Sequence, residues 1–224
     1  MHLKRSILIL LLLIVSVCVA ACDVPVVHPD NPAPSLLDVT IQVLDEAAST
    51  DGKNVVTMQL LYNGTIVQFT NGETISCNGT PLDFNGLGYA GRVARAPVGG
   101  MYQFVYTWNS GSAAIILPVP QRPVVTSPTP GSAVIRTTSL TINYVPDGGS
   151  GVDASAGDSS TGIDRNVNEP DNGTYTGLDV SQLQPGPGVI SITRIFQSTP
   201  SGTGFKSVQT TYRSSSVDVH ITWA

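Results

Sequence analysis

Four Asn-Gly dipeptides, spaced almost evenly, constrain the fold more than any other feature of this chain. They begin at positions 63, 71, 78 and 85, which leaves segments of five or six residues between them. Asn and Gly both accept the positive φ angles of a type I′ turn, whose twist matches that of two paired antiparallel strands. Segments of this length are typical of strands. The pattern therefore predicts a β-meander with strands over residues 65–70, 73–77 and 80–84.

Alternating apolar and polar residues predict further strands on both sides of this stretch. In residues 37–43 and 56–62 the apolar side chains recur at every second position, which is typical of a strand with one buried face. Residues 102–108 place three aromatic rings and Trp108 on one strand face. Such a row fits a buried sandwich face better than a platform for sugar stacking. Because Trp108 adjoins a turn, we expect it to be the exposed member and the candidate ligand-binding residue.

A proline-rich stretch over residues 118–131 divides the folded part, and a second run of alternating segments follows it. The start of this second half, "PVVTSPTPGSAV" and then "SLTINYV", resembles the first strands of bacterial immunoglobulin-like and fibronectin-III-like modules. The resemblance implies antiparallel sandwiches of about 100 residues. The sequence therefore predicts an all-β protein with two tandem antiparallel β-sandwich (immunoglobulin-like) domains, over residues 36–120 and 121–224.

The first 22 residues have the features of an export signal. Lys4 and Arg5 precede an apolar run over residues 7–21, which is shorter than the roughly 20 residues that a membrane-spanning helix needs. The run leads into "VAAC", which ends at Cys22 and resembles the lipobox of bacterial lipoproteins. A plain secreted protein and an uncleaved N-terminal helix are the alternatives.

The lipobox resemblance implies an anchored protein. Residues 1–21 would be a lipoprotein signal peptide, the thiol of Cys22 would carry a diacylglyceryl group, and the partner of that lipid would be a membrane. The protein would then lie on the extracytoplasmic face of the cell membrane. Residues 22–35 contain four prolines. This composition predicts an extended polyproline II tether of about 40 Å, at about 3.1 Å per residue.

Charge and motif content argue against two classes of function. Lys4 and Arg5 are two of eleven basic residues, so from Cys22 onward nine basic residues stand against sixteen acidic ones. The basic residues form no cluster, and nucleic acid is therefore not an expected partner. The sequence contains no phosphate loop, HExxH, GxSxG or CxxC. His220, the one histidine beyond the tether, is expected on the polar face of a terminal strand, and no catalytic residue is assigned.

The segment over residues 146–175 is acidic and shows no clear strand, which favours a mobile surface loop. Within it Asp164, Asn166 and Asn168 resemble the first half of a calcium loop, and Asp171 is a further candidate ligand. The loop pattern is incomplete, because Glu169 and a proline occupy the place of its glycine and the distal glutamate is missing. The sequence therefore predicts an acidic surface loop and no cofactor, with calcium binding as the alternative.

An anchor, a spacer and two sandwiches without a catalytic motif predict a lipid-anchored, extracytoplasmic, non-enzymatic binding protein of the bacterial cell envelope. The sequence does not distinguish a protein partner from a glycan partner. One alternative is a lipid-anchored carbohydrate or peptidoglycan hydrolase that uses Asp and Glu. Another is a purely structural surface spacer. Cys77 shares a strand face with an isoleucine, and we expect it in the core rather than as a reactive thiol.

Overall fold

The computed structural model describes residues 24–46, 50–158 and 162–224, without the side chains of residues 162–168. Cys22 and the predicted signal peptide therefore lie outside the described residues. The described part is all-β, with one 3-10 turn at Pro34–Leu36. Its strands are β1 (Val26–Val27), β2 (Leu37–Leu44), β3 (Lys53–Tyr62), β4 (Thr65–Val67), β5 (Thr74–Cys77), β6 (Thr80–Pro81), β7 (Asp83–Phe84), β8 (Tyr89–Ala94), β9 (Met101–Trp108), β10 (Gly111–Pro118), β11 (Val124–Ser127), β12 (Ala133–Val134), β13 (Leu140–Val145), β14 (Gly151–Asp158), β15 (Gly162–Glu169), β16 (Thr174–Leu178), β17 (Gly186–Ser198), β18 (Ser207–Arg213) and β19 (Val217–Trp223).

The largest sheet contains twelve strands and continues through both halves of the chain. Its main path has the order β1-β4-β3-β2-β18-β17-β14-β15, while β8 and β7 branch from β3, and β19 and β12 branch from β17. Two smaller sheets, β10-β9-β5-β6 and β11-β13-β16, complete the fold. Buried side chains form two separate hydrophobic cores, one in each sandwich.

The strand β18 joins the two sandwiches. It pairs in parallel with β2 along its whole length, from Ser207 opposite Asp38 to Arg213 opposite Leu44. Its neighbour β17 has 13 residues, of which the first part pairs with β19 in the second sandwich and the last part with β18. A strand from the C-terminal half thus completes the first core, so core membership does not follow the predicted ranges 36–120 and 121–224.

Inward-facing aromatic and aliphatic residues fill the first core. Tyr102, Phe104 and Tyr106 are fully buried, so the aromatic row of β9 lies in the sandwich interior. Cys77 on β5 is buried beside them, and this burial raises the pKa of its thiol to about 12. The thiol therefore remains protonated at neutral pH and behaves as a small apolar side chain.

Two of the four Asn-Gly dipeptides form the predicted hairpin turns. Asn63 and Asn78, with φ angles of 50° and 48°, each precede a glycine of positive φ and connect β3 to β4 and β5 to β6. The meander prediction is nevertheless wrong, because β4 belongs to the twelve-stranded sheet and β5 to the four-stranded one. Between β4 and β5 the chain passes from one sheet to the other. There the buried carboxylate of Glu73 accepts the backbone N–H groups of Asn31 and Asn71, which belong to no strand.

The proline-rich segment is not a free stalk. From Val26 onward it lies against the first sandwich, where β1 pairs in parallel with β4 and the hydroxyl of Tyr106 donates to the carbonyl of Pro32 at 3.0 Å. Pro32 and Pro34 are buried. The predicted 40 Å spacer is therefore wrong, since proline rings add apolar area to the core and their carbonyl groups still accept hydrogen bonds.

The acidic segment contains two strands that the sequence analysis missed. β14 lies between β17 and β15 in the large sheet and places Val152, Ala154 and Ala156 in the second core. The prediction of a mobile loop is wrong over these residues. Alanine at the inward positions 154 and 156 gives too weak a contrast in hydropathy to mark a strand.

Two salt-bridged groups fix the linker between the sandwiches. Arg122 contacts Asp45 with 2.9 Å between Nη2 and Oδ2, and Arg194 donates from Nη1 to the carbonyl of Gln121 at 2.7 Å. Arg194 also lies 2.8 Å, from Nε to Oδ2, from Asp171, and both side chains are almost fully buried. The linker is thus bonded to both sandwiches.

Replacing Asp171 with alanine is expected to lower the free energy of unfolding by about 3–5 kcal/mol, because the guanidinium of Arg194 would remain buried without its counter-charge. Asp147 is the matched control, since it is partly exposed and its Oδ2 lies 4.0 Å from Nη1 of Arg194. Asp147→Ala should cost about 1 kcal/mol or less. Urea denaturation measures both values, and equal losses for the two variants would contradict this assignment.

A second prediction concerns Cys77. In a protein that begins at residue 24, Cys77 is the single thiol, and it should not react with Ellman's reagent at pH 8 while the protein is folded. In denaturant it should react fully, because exposure restores the ordinary thiol pKa of about 8.5. Stoichiometric reaction of the folded protein would show that β5 is not packed as described.

Candidate binding face

The aromatic candidate is not an open stacking platform. Trp108 is partly buried, packs on Tyr106 with 5.3 Å between ring centroids, and donates from Nε1 to Oγ of Ser110 at 2.7 Å. The side-chain oxygen of Asn31 accepts the N–H of Asn109 next to it. Trp108 is more exposed than the three aromatic residues before it on this face, but it closes the end of the first core.

His220 does not form a catalytic triad with the side chains near it. It is exposed on β19, and its imidazole makes no hydrogen bond to the described residues. On the same sheet face, Ser191 donates directly to Asp218 at 2.6 Å. In a triad the imidazole stands between these two side chains. The Ser191–Asp218 pair is therefore an ordinary hydrogen bond on the protein surface.

The structure does not bring the calcium candidates into one loop. Asp164, Asn166 and Asn168 lie on the strand β15, and their side chains are outside the description. Asp171 is bound to Arg194 and accepts the N–H of Gly149 at 2.8 Å, so it could bind a cation only by leaving that pair. Within the described residues no group of three acidic, histidine or cysteine side chains is placed to hold a metal. Calcium binding at the first three residues stays an untested prediction.

The anchor candidate cannot be located. Cys22 precedes Val24, the first described residue. Across the described ranges no helix has the length and apolar character to cross a membrane.

One surface does bring together polar side chains from both halves of the chain. We call it the Thr/Gln face, and it is the solvent side of four neighbouring strands in the large sheet. Its residues are Thr57 and Gln59 on β3, Thr40 and Gln42 on β2, Gln209 and Thr211 on β18, and Gln197 on β17. Three of the glutamines (42, 197 and 209) are exposed, and the other members are half-buried.

The strand register arranges these residues in two rows. One row runs Gln59–Thr40–Gln209 and the next runs Thr57–Gln42–Thr211–Gln197, so every glutamine lies beside a threonine on the neighbouring strand. The intervening residues, such as Ile41 and Val208, point into the first core and fix the orientation of the rows. The array is therefore rigid, because each polar side chain is attached to a strand whose other face is buried.

Most of the hydrogen-bonding capacity of this face is unused by the protein. Gln59 donates from Nε2 to the carbonyl of Leu87 at 2.8 Å. The other amides and hydroxyls of the face make no side-chain hydrogen bond to the described residues. Two shallow depressions lie on it: one of about 240 Å³ is lined by the β2 and β3 residues with Leu87, and one of about 300 Å³ by the β17 and β18 residues.

The face is electrically neutral, and the charges at its two ends are paired. At one end Lys206 contacts Asp38 with 2.8 Å between Nζ and Oδ2, and hydrogen bonds from Lys206 and Ser207 lower the pKa of that carboxyl. At the other end Arg213 contacts Asp153, also at 2.8 Å. A ligand on the face therefore meets amides and hydroxyls and no uncompensated charge.

Sequence reasoning missed this face, although part of the signal was present. The strands carry the related triplets "TIQ", "TMQ" and "QTT" at residues 40–42, 57–59 and 209–211. Each triplet alone indicates only the solvent side of a strand. The three triplets come together on one face because β2 pairs in parallel with β18, and this pairing joins residues 169 positions apart.

Solved structures similar to the chain are tandem immunoglobulin-like and fibronectin-III-like modules. A chimeric titin Z1Z2–Z1Z2 tandem is 13% identical with a TM-score of 0.24, over 86% of this chain and 97% of that one. The fibronectin(III)-like modules of CbhA from Clostridium thermocellum are 16% identical with a TM-score of 0.26, over 83% and 93%. The BSP domain of a biofilm associated protein is 13% identical with a TM-score of 0.26, over 84% of this chain and 30% of that one.

Neither a known protein family nor a curated protein matches the chain. Likenesses with TM-scores of this size support no inference about function. The all-β assignment rests on the strands and sheets described above, and the function must be argued from the Thr/Gln face.

Because the face residues have few contacts with the protein, their replacement should leave stability almost unchanged. Gln209→Ala is expected to change the free energy of unfolding by about 0.5 kcal/mol or less. Val208→Ala, one position earlier and facing the first core, should cost about 2 kcal/mol. Denaturation of both variants tests the orientation of β18, and a larger loss for Gln209→Ala would show that this strand is turned the other way.

Proposed function

We propose that this protein is a lipid-anchored, non-enzymatic binding protein on the extracytoplasmic face of the bacterial cell envelope, and that the Thr/Gln face is its binding surface. The observation that carries the proposal is the two rows of amides and hydroxyls on one sheet face, of which only Gln59 has a side-chain hydrogen bond within the described residues. Such groups recover hydrogen bonds when a partner covers them. Their fixed spacing reduces the entropy that binding would otherwise cost.

The contacts of the acidic residues favour binding over hydrolysis. Acid–base hydrolysis of a glycan needs two available carboxyl groups, about 5–10 Å apart, on either side of a bound substrate. Of the buried carboxylates, Asp45, Asp153 and Asp171 are each paired with an arginine, and Glu73 accepts two backbone N–H groups. Ion pairs of this kind stabilise the ionised carboxylate and occupy its oxygens. These three ion pairs stabilise the junction and the large sheet. None of their carboxylates lines the Thr/Gln face.

The docked N-terminal segment limits how far the first sandwich could lie from a lipid on Cys22. Cys22 precedes the docked residue Val26 by four positions, which at most about 3.5 Å per residue spans about 14 Å. Lipid on Cys22 would therefore hold the first sandwich close to the bilayer. The junction at Asp45 lies at the far end of β2, so the second sandwich would be the distal one.

Cell fractionation tests the anchor. The wild-type protein should sediment with membranes and Cys22→Ala should not, because that variant lacks the thiol that receives the lipid. Cys77→Ala is the matched control: it removes the other cysteine of the mature chain and should sediment like the wild type. If Cys22→Ala stays in the membrane fraction, the anchored part of the proposal is wrong.

Photo-crosslinking tests the binding surface. A photoreactive amino acid at position 42, on the Thr/Gln face, should capture another envelope component in living cells. The control position is 107, which is exposed on the outer side of β9 and should capture little. Equal capture at both positions, or none at position 42, would remove the Thr/Gln face as the binding surface.

A further inference from the structure

We infer that the ligand of the Thr/Gln face is a neutral polysaccharide, an inference that rests on the proposed function and specifies its partner. The chemistry of the face supports this class over the other macromolecules of an envelope. The charge, the apolar content and the repeat spacing of the face each favour this ligand.

The charge of the face excludes polyanions and charged surfaces as favoured ligands. None of its seven side chains ionises, and the cations at its ends, Lys206 and Arg213, are already paired with carboxylates. A nucleic acid, an anionic glycan or an anionic bilayer is recognised mainly through free lysine and arginine. A neutral chain of hydroxyls or acetamido groups needs no counter-charge and matches the donors and acceptors that the face presents.

The apolar content of the face disfavours a protein partner. Protein interfaces concentrate their binding energy in large aromatic or arginine side chains that fill pockets at the centre of the contact. The Thr/Gln face has no aromatic residue, and its large exposed apolar neighbours are Leu87 and, two residues after Gln42 on β2, Leu44. Isolated leucines beside hydrogen-bonding groups instead suit a sugar ring, which has a weakly apolar face and a polar edge.

The geometry of the face suits a repeating ligand. Neighbouring strands place equivalent side chains about 4.8 Å apart, and successive outward residues of one strand lie about 6.8 Å apart. The two depressions lie side by side across β2 and β18, so one extended chain could contact both. Each contact would be weak, and a polymer would gain affinity by engaging several of them at once.

Native affinity electrophoresis of the full mature, lipidated protein in neutral detergent tests this inference. The probes are two pairs of soluble polymers that differ mainly in charge: dextran with carboxymethyl-dextran, and hydroxyethylcellulose with carboxymethylcellulose. We expect retardation by at least one neutral polymer. That retardation should exceed the effect of its carboxymethylated partner and persist in 0.5 M salt, because no ionic contact is involved.

The variant Gln42→Glu/Gln209→Glu keeps the size of the side chains but introduces two carboxylates on the face. It should raise the dissociation constant for the neutral polymer at least tenfold. Gln103→Glu, on the outer side of β9, is the control for charge alone and should leave the constant unchanged. Unchanged binding by the double variant, stronger retardation by the carboxymethylated polymers, or no retardation by either neutral polymer would overturn the inference.

These outcomes separate the inference from the proposed function. If position 42 crosslinks to an envelope protein while no neutral polymer binds, the polysaccharide inference fails and the binding function stands. If position 42 captures nothing and no polymer binds, both fail. If the neutral polymer retards the wild type and the Gln103→Glu control but not the double variant, both the inference and the proposed function are supported.

Discussion

The parallel pairing of β2 with β18 is the contact on which the rest of the structure depends. It joins segments at opposite ends of the chain, and closing so long a loop costs conformational entropy. Burial of Val208 and Tyr212 in the first core helps to offset that cost. Because β18 also pairs with the last part of β17, the pairing makes the two sandwiches neighbours on one sheet. Without it, the Thr/Gln face would consist of two separate halves.

The buried charges at the junction make that arrangement specific. Asp45 and Arg194 bind the linker from the first and the second sandwich respectively. Burying an ion pair costs much of the energy that its attraction returns, so such pairs are weak evidence for stability in themselves. Here they fix one orientation, because a shifted linker would leave a carboxylate or a guanidinium buried without its partner. A partner that contacts both halves of the face meets a preformed surface.

The sequence predicted the local structure well and the long-range structure poorly. Alternation located β2, β3, β9 and β19, and the turns at Asn63 and Asn78 followed from the preference of Asn-Gly for positive φ. The meander failed because turn chemistry does not specify which sheet the next strand joins. β14 was missed because alanine, which occupies the inward positions 154 and 156, hardly alters the hydropathy pattern. No local signal could place Gln209 beside Thr40, and the candidate site was therefore visible only in part, as polar positions on separate strands.

The described part presents a neutral hydrogen-bonding surface assembled across its two sandwiches, and the lipobox resemblance predicts an anchor near one end. This arrangement requires β18 to be an integral strand of the first sandwich. Native-state amide hydrogen exchange tests that requirement, because exchange rates report how each strand opens. The paired amides of β18 and β2 should exchange as slowly as those of β9 and β14. Rapid exchange along β18, with protection retained in β2, β3 and β9, would contradict this role of β18.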